Sequence, residues 1–273
     1  MLTGGLIIEQ HPLVVLLLAD VVATLVVFGF SFLLRNSSMY DPYWSVQPVV
    51  IAAFWWWWPT DAEPDSLRRI LATVLLVAWS VRLTGNFFYG WRGLSQEDWR
   101  YVNLQKANGR AYLLVSLTGI HLFPTVLVYS GCIPLMPALN TGGRPWNAID
   151  VLATIVTAVA VLLETAADWQ LHRFVRTNTE PGRTLDTGLW AWSRHPNYLG
   201  EILLWWGLAF FGYAAGGPLW VFGGALAITL LFVFISIPMI EKRSFARRPE
   251  YAQYCRLVPM LLPFIPFRRS TEA

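Results

Sequence analysis

The sequence predicts an all-α polytopic membrane protein with seven transmembrane helices, its N-terminus outside and its C-terminus cytoplasmic. Three observations carry this. Charged residues make up 14% and hydrophobic residues 55% of the 273, against roughly 25% charge in a soluble domain. The 39 residues between Glu201 and Glu241 contain no Asp, Glu, Lys, Arg or His, about twice the ~20 apolar residues that cross a bilayer. The 20 Lys and Arg residues are also divided very unevenly between alternate loops.

Hydropathy sets the spans in order. The first, 13–34, has no basic segment before it and runs past about 20 residues, so a bundle helix is expected and not a cleaved signal. The second, 46–59, is short unless 40–45 contributes to it, and it closes on Trp55–Trp58, whose indoles suit the headgroup level. The third and fourth, 70–89 and 111–131, carry Arg82 and His121. The fifth is 148–172. The sixth and seventh, 199–215 and 219–240, are parted by Gly216-Gly217-Pro218.

Loop charge then fixes the orientation. Residues 35–45, 91–110, 173–198 and 241–273 hold 16 of the Lys and Arg residues, and Arg68, Arg69 and Arg144 are the three on the other side. The 16-bearing side is expected to be cytoplasmic, which in a bacterium makes this an inner-membrane protein. Cys132 and Cys255 fall on opposite sides, so no disulfide is expected and two isolated cysteines make no metal site. A single domain, 1–273, is expected, and the net charge of +3 suits lipid headgroups better than nucleic acid. No motif points to an obligate protein partner.

Ionisable side chains inside spans are costly and usually face a partner or a cavity. Asp20 and Arg82 lie mid-span and read as halves of structural pairs, and His121 as a packing histidine. Glu164, Asp168 and His172, four residues apart, stack on one face at the end of the fifth helix, with Arg173 and Arg176 directly after. Two carboxylates one turn apart need a cation or a hydrogen-bonding ligand near them, so this face is expected to meet a ligand. No HExxH motif supports a metal there. In "SRHPNYLGE", 193–201, Pro196 suits the first turn of a helix. Asn197 and Glu201 then share a face, and the free N–H groups of the helix start favour an anion. Arg183 lies just upstream in the turn-rich "EPGRTLDTGLW", 180–190. Arginines for phosphates, with carboxylates and amides for ribose and base, fit a nucleotide-like ligand. No GxGxxG follows a strand and no GxxxxGK[ST] occurs, so the ligand must bind within the helical bundle.

"GRTLDTGLWAWSRHPNYLGEILLWWG", 182–207, and "EKRSFARRPEYAQYCRLVPMLLPF", 241–264, resemble the C-terminal half of steroid 5α-reductases and, more closely, their bacterial relatives. "YDPYWS", 40–45, and "EDWRY", 97–101, are similar to those bacterial relatives too. The RHPNYLG core is shared with isoprenylcysteine carboxyl methyltransferases and so marks a superfamily rather than a reaction. The resemblance implies an NADPH-dependent reductase of a conjugated enone, as in a Δ4-3-ketosteroid, with the cofactor site in 148–264 opening to the cytoplasm. On this resemblance Asn197 and Glu201 hold the nicotinamide end, and Asp168 with Glu164 nearby binds the adenosine or ribose part. Arg173, Arg176, Arg183 and Arg194 are the phosphate candidates. His195 and Tyr198 belong to the same grip, and Arg243 and Tyr254 close it.

The family's Gln-Glu pair at the start of the second helix falls on Tyr40 and Asp41 when the prolines are matched at Pro48. The family's tyrosine on the third helix falls on Trp79, which has no phenol, so Tyr40 or Tyr43 is expected to supply the hydroxyl. Hydride addition to an enone builds negative charge on the carbonyl oxygen, and a donor aimed at that oxygen stabilises the transition state. A neutral carboxylic acid or a tyrosine can be that donor, and Asp41 in its protonated form and Tyr40 are the candidates. The substrate is expected to be a flat hydrophobic molecule reaching the bundle through the lipid bilayer. The alternatives are an S-adenosylmethionine-dependent methyltransferase of the isoprenylcysteine type and a non-catalytic sterol-binding membrane protein.

Overall fold

A computed structural model describes residues 11–262. Pro263 and Phe264, which end the second resembling stretch, and Arg268 and Arg269 of the basic tail lie outside the described residues. Among these residues the α-helices, in chain order, are α1 (Pro12–Leu33), α2 (Asp41–Trp57), α3 (Ser66–Gly90), α4 (Trp99–Asn108), α5 (Tyr112–Val115), α6 (Phe123–Cys132), α7 (Ala148–Thr177), α8 (Pro196–Ala214), α9 (Gly223–Leu231), α10 (Ile237–Arg247) and α11 (Tyr251–Leu257). Among the described residues there is no strand.

Among the described residues, five helical segments are long and apolar enough to cross a membrane: Pro12–Leu33, Ser66–Gly90, Trp99–Thr141, Ala148–Thr177 and Leu219–Arg247. These make the chain an integral membrane protein. The other two expected spans, 46–59 and 199–215, are not among these five. Helix α2 has 17 residues, about 25 Å of rise against a core of ~30 Å, and α8 opens on the polar residues of the RHPNYLGE motif. Two of the long segments contain π-helical turns, Ser116–Leu122 and Phe232–Ser236, each followed closely by a proline, Pro124 and Pro238. Proline has no N–H to continue the helical ladder, and the register widens where that bond is lost.

The chain folds as two compact units that interleave in sequence, 11–150 with 208–224, and 151–207 with 225–262. In the first, α1, α2, α3 and α6 pack around buried Thr24, Tyr40, Trp55, Leu76, Trp79 and His121. Among the described residues Asp20 pairs with no cation: its carboxylate accepts the Tyr43 hydroxyl at 2.7 Å and the Gln47 amide at 2.5 Å. His121 is held on both ring nitrogens, by Ser31 Oγ at 3.0 Å and the Ser116 carbonyl at 2.8 Å, as expected of a packing histidine. The tryptophan run splits by helical periodicity. Trp55 is fully buried, Trp57 is exposed, and Arg69 stacks 3.9 Å from the Trp56 ring centre. At the start of α3, Arg68 makes a bidentate pair with Asp150 at 2.7 Å on both arms and also reaches the Arg144 carbonyl. Both side chains of this pair are 0% exposed.

In the second unit, two glycines let α7 and α8 pack backbone to backbone. A Cβ at Gly200 would lie 2.7 Å from the Glu164 Cβ and 2.9 Å from the Ala160 carbonyl oxygen, and one at Gly207 would collide with the Thr157 hydroxyl. Seven residues forward on α8 match seven backward on α7, so the two helices are antiparallel. Trp206 Nε1 donates to Thr229 Oγ1 at 3.0 Å, which brings α9 against α8.

Candidate functional site

The antiparallel α7–α8 seam assembles the residues that sequence spacing singled out. Going along it, Gly207 faces Thr157, Gly200 faces Glu164, and Asn197 Nδ2 donates to Asp168 Oδ1 at 3.3 Å. Glu164 and Glu201 are both buried, and Trp205 Nε1 donates to Glu201 Oε1 at 2.9 Å. Two carboxylates of α7 thus stand beside an amide and a carboxylate of α8. A buried carboxylate is tolerated only where hydrogen bonds or cations meet it, and Trp205 and Asn197 supply two such donors, to Glu201 and Asp168. Arg173 and Arg176, one and two turns beyond Asp168, are exposed at the end of α7, and the Arg173 guanidinium lies 5.6 Å from the Trp169 ring centre.

The loop before α8 is fixed by long-range bonds. Gly188 has φ +61 and packs against the Gln170 side chain, whose Oε1 accepts the Leu189 N–H at 2.9 Å. Trp190 Nε1 donates to the Ala167 carbonyl. Helix α11 meets the same loop, where the Tyr254 hydroxyl donates to the Trp190 carbonyl at 2.5 Å. Burial pushes the Tyr254 phenol well above the ordinary tyrosine range, so it keeps the proton it donates.

Glu241 of α10 is the hub that sequence spacing did not reveal. Its Oε1 accepts Arg194 Nε at 2.7 Å and His195 Nε2 at 3.0 Å. Arg194 Nη1 also donates to the Cys255 and Val258 carbonyls, at 3.1 and 2.8 Å. Arg194 therefore ties the α8 start to α10 and to the chain around α11, whereas the side chains of Arg173, Arg176 and Arg183 are exposed. Arg183 lies 3.5 Å from Glu180. His195 stacks on Tyr198 with ring centres 5.7 Å apart, and Tyr198 meets Phe232. Arg243 is half-buried on α10, two residues after Glu241.

A family model described as a protein of unknown function, DUF1295, matches residues 27–258, which takes in every candidate residue from Tyr40 to Tyr254. The chain belongs to this family. An uncharacterized protein of Schizosaccharomyces pombe is 29% identical to it over 278 residues, covering 93% of this chain and 80% of its own length. No solved structure matches the chain.

In this DUF1295 chain the substrate-end candidates lie in the first unit. The Tyr40 hydroxyl is buried and 2.9 Å from Thr125 Oγ1. Asp41 opens α2, and its Oδ1 accepts the Tyr101 hydroxyl at 2.6 Å. Trp79 is fully buried beside Trp44, ring centres 6.0 Å apart, a packing role. Tyr101 of α4 thus brings a phenol to Asp41. Tyr101 is the last residue of "EDWRY", a stretch singled out for resemblance without any role given to that tyrosine.

Proposed function

We propose that this protein is an NADPH-dependent reductase of a conjugated enone lipid, of the Δ4-3-ketosteroid kind, in the manner of the steroid 5α-reductases it resembles. The observation that carries the reading is the stripe of Glu164, Asp168, Asn197 and Glu201 along the α7–α8 seam, with exposed arginines at the end of α7. The donor set fits the cofactor. Carboxylates and an amide carbonyl accept from ribose hydroxyls and from a carboxamide N–H, and exposed guanidinium groups meet phosphates as bidentate partners.

Bound NADPH would supply a hydride for the β-carbon of the enone. Asn197 and Glu201 hold the nicotinamide end, Asp168 with Glu164 the ribose, and Arg173, Arg176 and Arg183 the phosphates. Arg194 acts through Glu241 to keep the α8 start in place. Proton delivery is assigned to Asp41. With Oδ1 engaged by Tyr101, the proton of the neutral acid sits on Oδ2, where it can be donated to the substrate's carbonyl oxygen as negative charge develops there. The hydride and this proton together make the two-hydrogen gain of the product. The apolar outer faces of the spans suit delivery of the substrate from the bilayer.

One observation favours a second reading. The motif arginine, Arg194, is engaged by protein groups, which weakens the contrast with methyltransferases that bind a phosphate-free cofactor at the same motif. The test is NADPH oxidation by the purified, detergent-solubilised protein with progesterone or testosterone, followed by mass analysis of the product. A gain of two hydrogens supports the reductase. Absence of product together with binding of S-adenosylmethionine supports the methyltransferase instead.

A further inference from the structure

A polar cavity of ≈ 590 Å³ opens in the first unit, lined by Arg35, Asn36, Arg92, Ser95, Gln96 and Glu97 among others. Arg35 follows the end of α1, and Arg92 follows the end of α3. The floor is already satisfied. Buried Asn36 donates through Nδ2 to the Leu94 and Gln96 carbonyls, both at 2.9 Å, and accepts the Ser38 N–H on Oδ1. Glu97 Oε1 accepts the Ser37 N–H at 2.8 Å. The two arginines differ from these groups. Both are exposed, and among the described residues no acid pairs with either.

Arg35 is also the only described non-glycine residue with positive φ, +50, a conformation that costs an ordinary L-residue ~1–2 kcal/mol. Strain of this kind persists where the surrounding fold holds it, and it gathers at ligand sites. Next to the two cations the surface is apolar. Phe32, Leu33 and Leu34 precede Arg35, Phe88 and Tyr89 precede Arg92, and all five are exposed, as is Leu94. A dissolved anion has no use for that collar. An amphiphile with an anionic head and acyl tails matches both parts.

We propose that this cavity binds the phosphate of an anionic phospholipid, with its acyl chains along the exposed ends of α1 and α3. The proposal stands independently of the NADPH reading, because none of its residues belongs to the α7–α8 seam.

The test uses the full chain, reconstituted in nanodiscs of equal phosphatidylglycerol and phosphatidylcholine, extracted in mild detergent, and weighed by native mass spectrometry. Phosphatidylglycerol is expected to be retained in preference to phosphatidylcholine. Each of Arg92→Gln and Arg35→Gly should lower its occupancy by about tenfold. Arg35→Gly should also keep or raise the thermal midpoint, since glycine takes φ +50 without strain, which separates loss of binding from loss of fold. Equal retention of both lipids, or an Arg35→Gly/Arg92→Gln double variant that binds as wild type does, overturns the proposal. Displacement of the lipid by millimolar inorganic phosphate overturns it as well, because the site would then be one for free anions.

Discussion

Asp41 and Tyr101 define the residue scale. Their hydroxyl–carboxylate bond of 2.6 Å joins residues 60 apart in sequence, so no local spacing pointed to it, although each residue stood in a stretch singled out from sequence. Asp41→Asn keeps the shape but cannot hold an acidic proton. Turnover in that variant is expected to fall by about 10²-fold or more with cofactor affinity unchanged, and comparing initial rates with equilibrium binding checks both halves. Tyr101→Phe leaves one oxygen of Asp41 without its donor and should lower turnover less, by about tenfold. Glu241 gives the second lesson of the same kind. It lies 47 residues from Arg194, inside a helix whose other polar residues read as a basic tail, so Arg194 looked open to phosphate when its guanidinium is in fact bound by protein. Removing the shared acceptor with Glu241→Ala should destabilise the protein by roughly 1–3 kcal/mol, seen as a lower midpoint in thermal unfolding, and should loosen the chain around α11.

At the scale of elements, α7 and α8, expected as the fifth and sixth spans, were legible in detail. Residues four apart on a helix share a face, so Glu164 with Asp168, and Asn197 with Glu201, could be placed before any coordinates. That the two faces meet was not legible, because the meeting depends on Gly200 and Gly207, and a glycine in an apolar run reads equally as packing, bend or spacer. Gly200→Val is expected to force α7 and α8 apart, since its Cβ would lie 2.9 Å from a backbone carbonyl oxygen that cannot turn away. Both thermal stability and cofactor binding should fall. The π turns were partly legible. Pro124 and Pro238 are plain in the sequence, but where the register widens depends on which carbonyl goes unmatched. Helix α3 is capped by Asp65, whose side chain accepts the Arg68 N–H at 3.0 Å and the Trp146 N–H at 3.1 Å. These backbone bonds, that to Arg68 first, hold its carboxyl below the usual value of 3.8. A lowered carboxyl contributes stability at neutral pH that is lost as pH falls through the folded value. Asp65→Ala should therefore cost about 1 kcal/mol at pH 7 and less in acid, which unfolding at a series of pH values will show.

At the scale of the whole molecule, the membrane character was the most legible property, since it rests on composition and on runs of apolar residues that need no partner to be recognised. Of the seven spans expected, five are long and apolar enough to cross a membrane among the described residues. The buried Arg68–Asp150 pair was hidden for the same reason as Glu241. It joins residues 82 apart, and sequence alone placed Arg68 in a loop. Arg68→Met alone should destabilise by about 3–5 kcal/mol through the uncompensated acid, and the Arg68→Met/Asp150→Leu double variant by much less, as judged from thermal midpoints in detergent. The central claim concerns the α7–α8 stripe, and the most direct test of it is NADPH binding to the purified protein, followed by titration calorimetry beside Glu201→Gln and Asp41→Asn. The expected result is saturable NADPH binding, weakened about tenfold or more by Glu201→Gln and unchanged by Asp41→Asn. NADPH binding that ignores Glu201, or no NADPH binding in a folded protein, would contradict it.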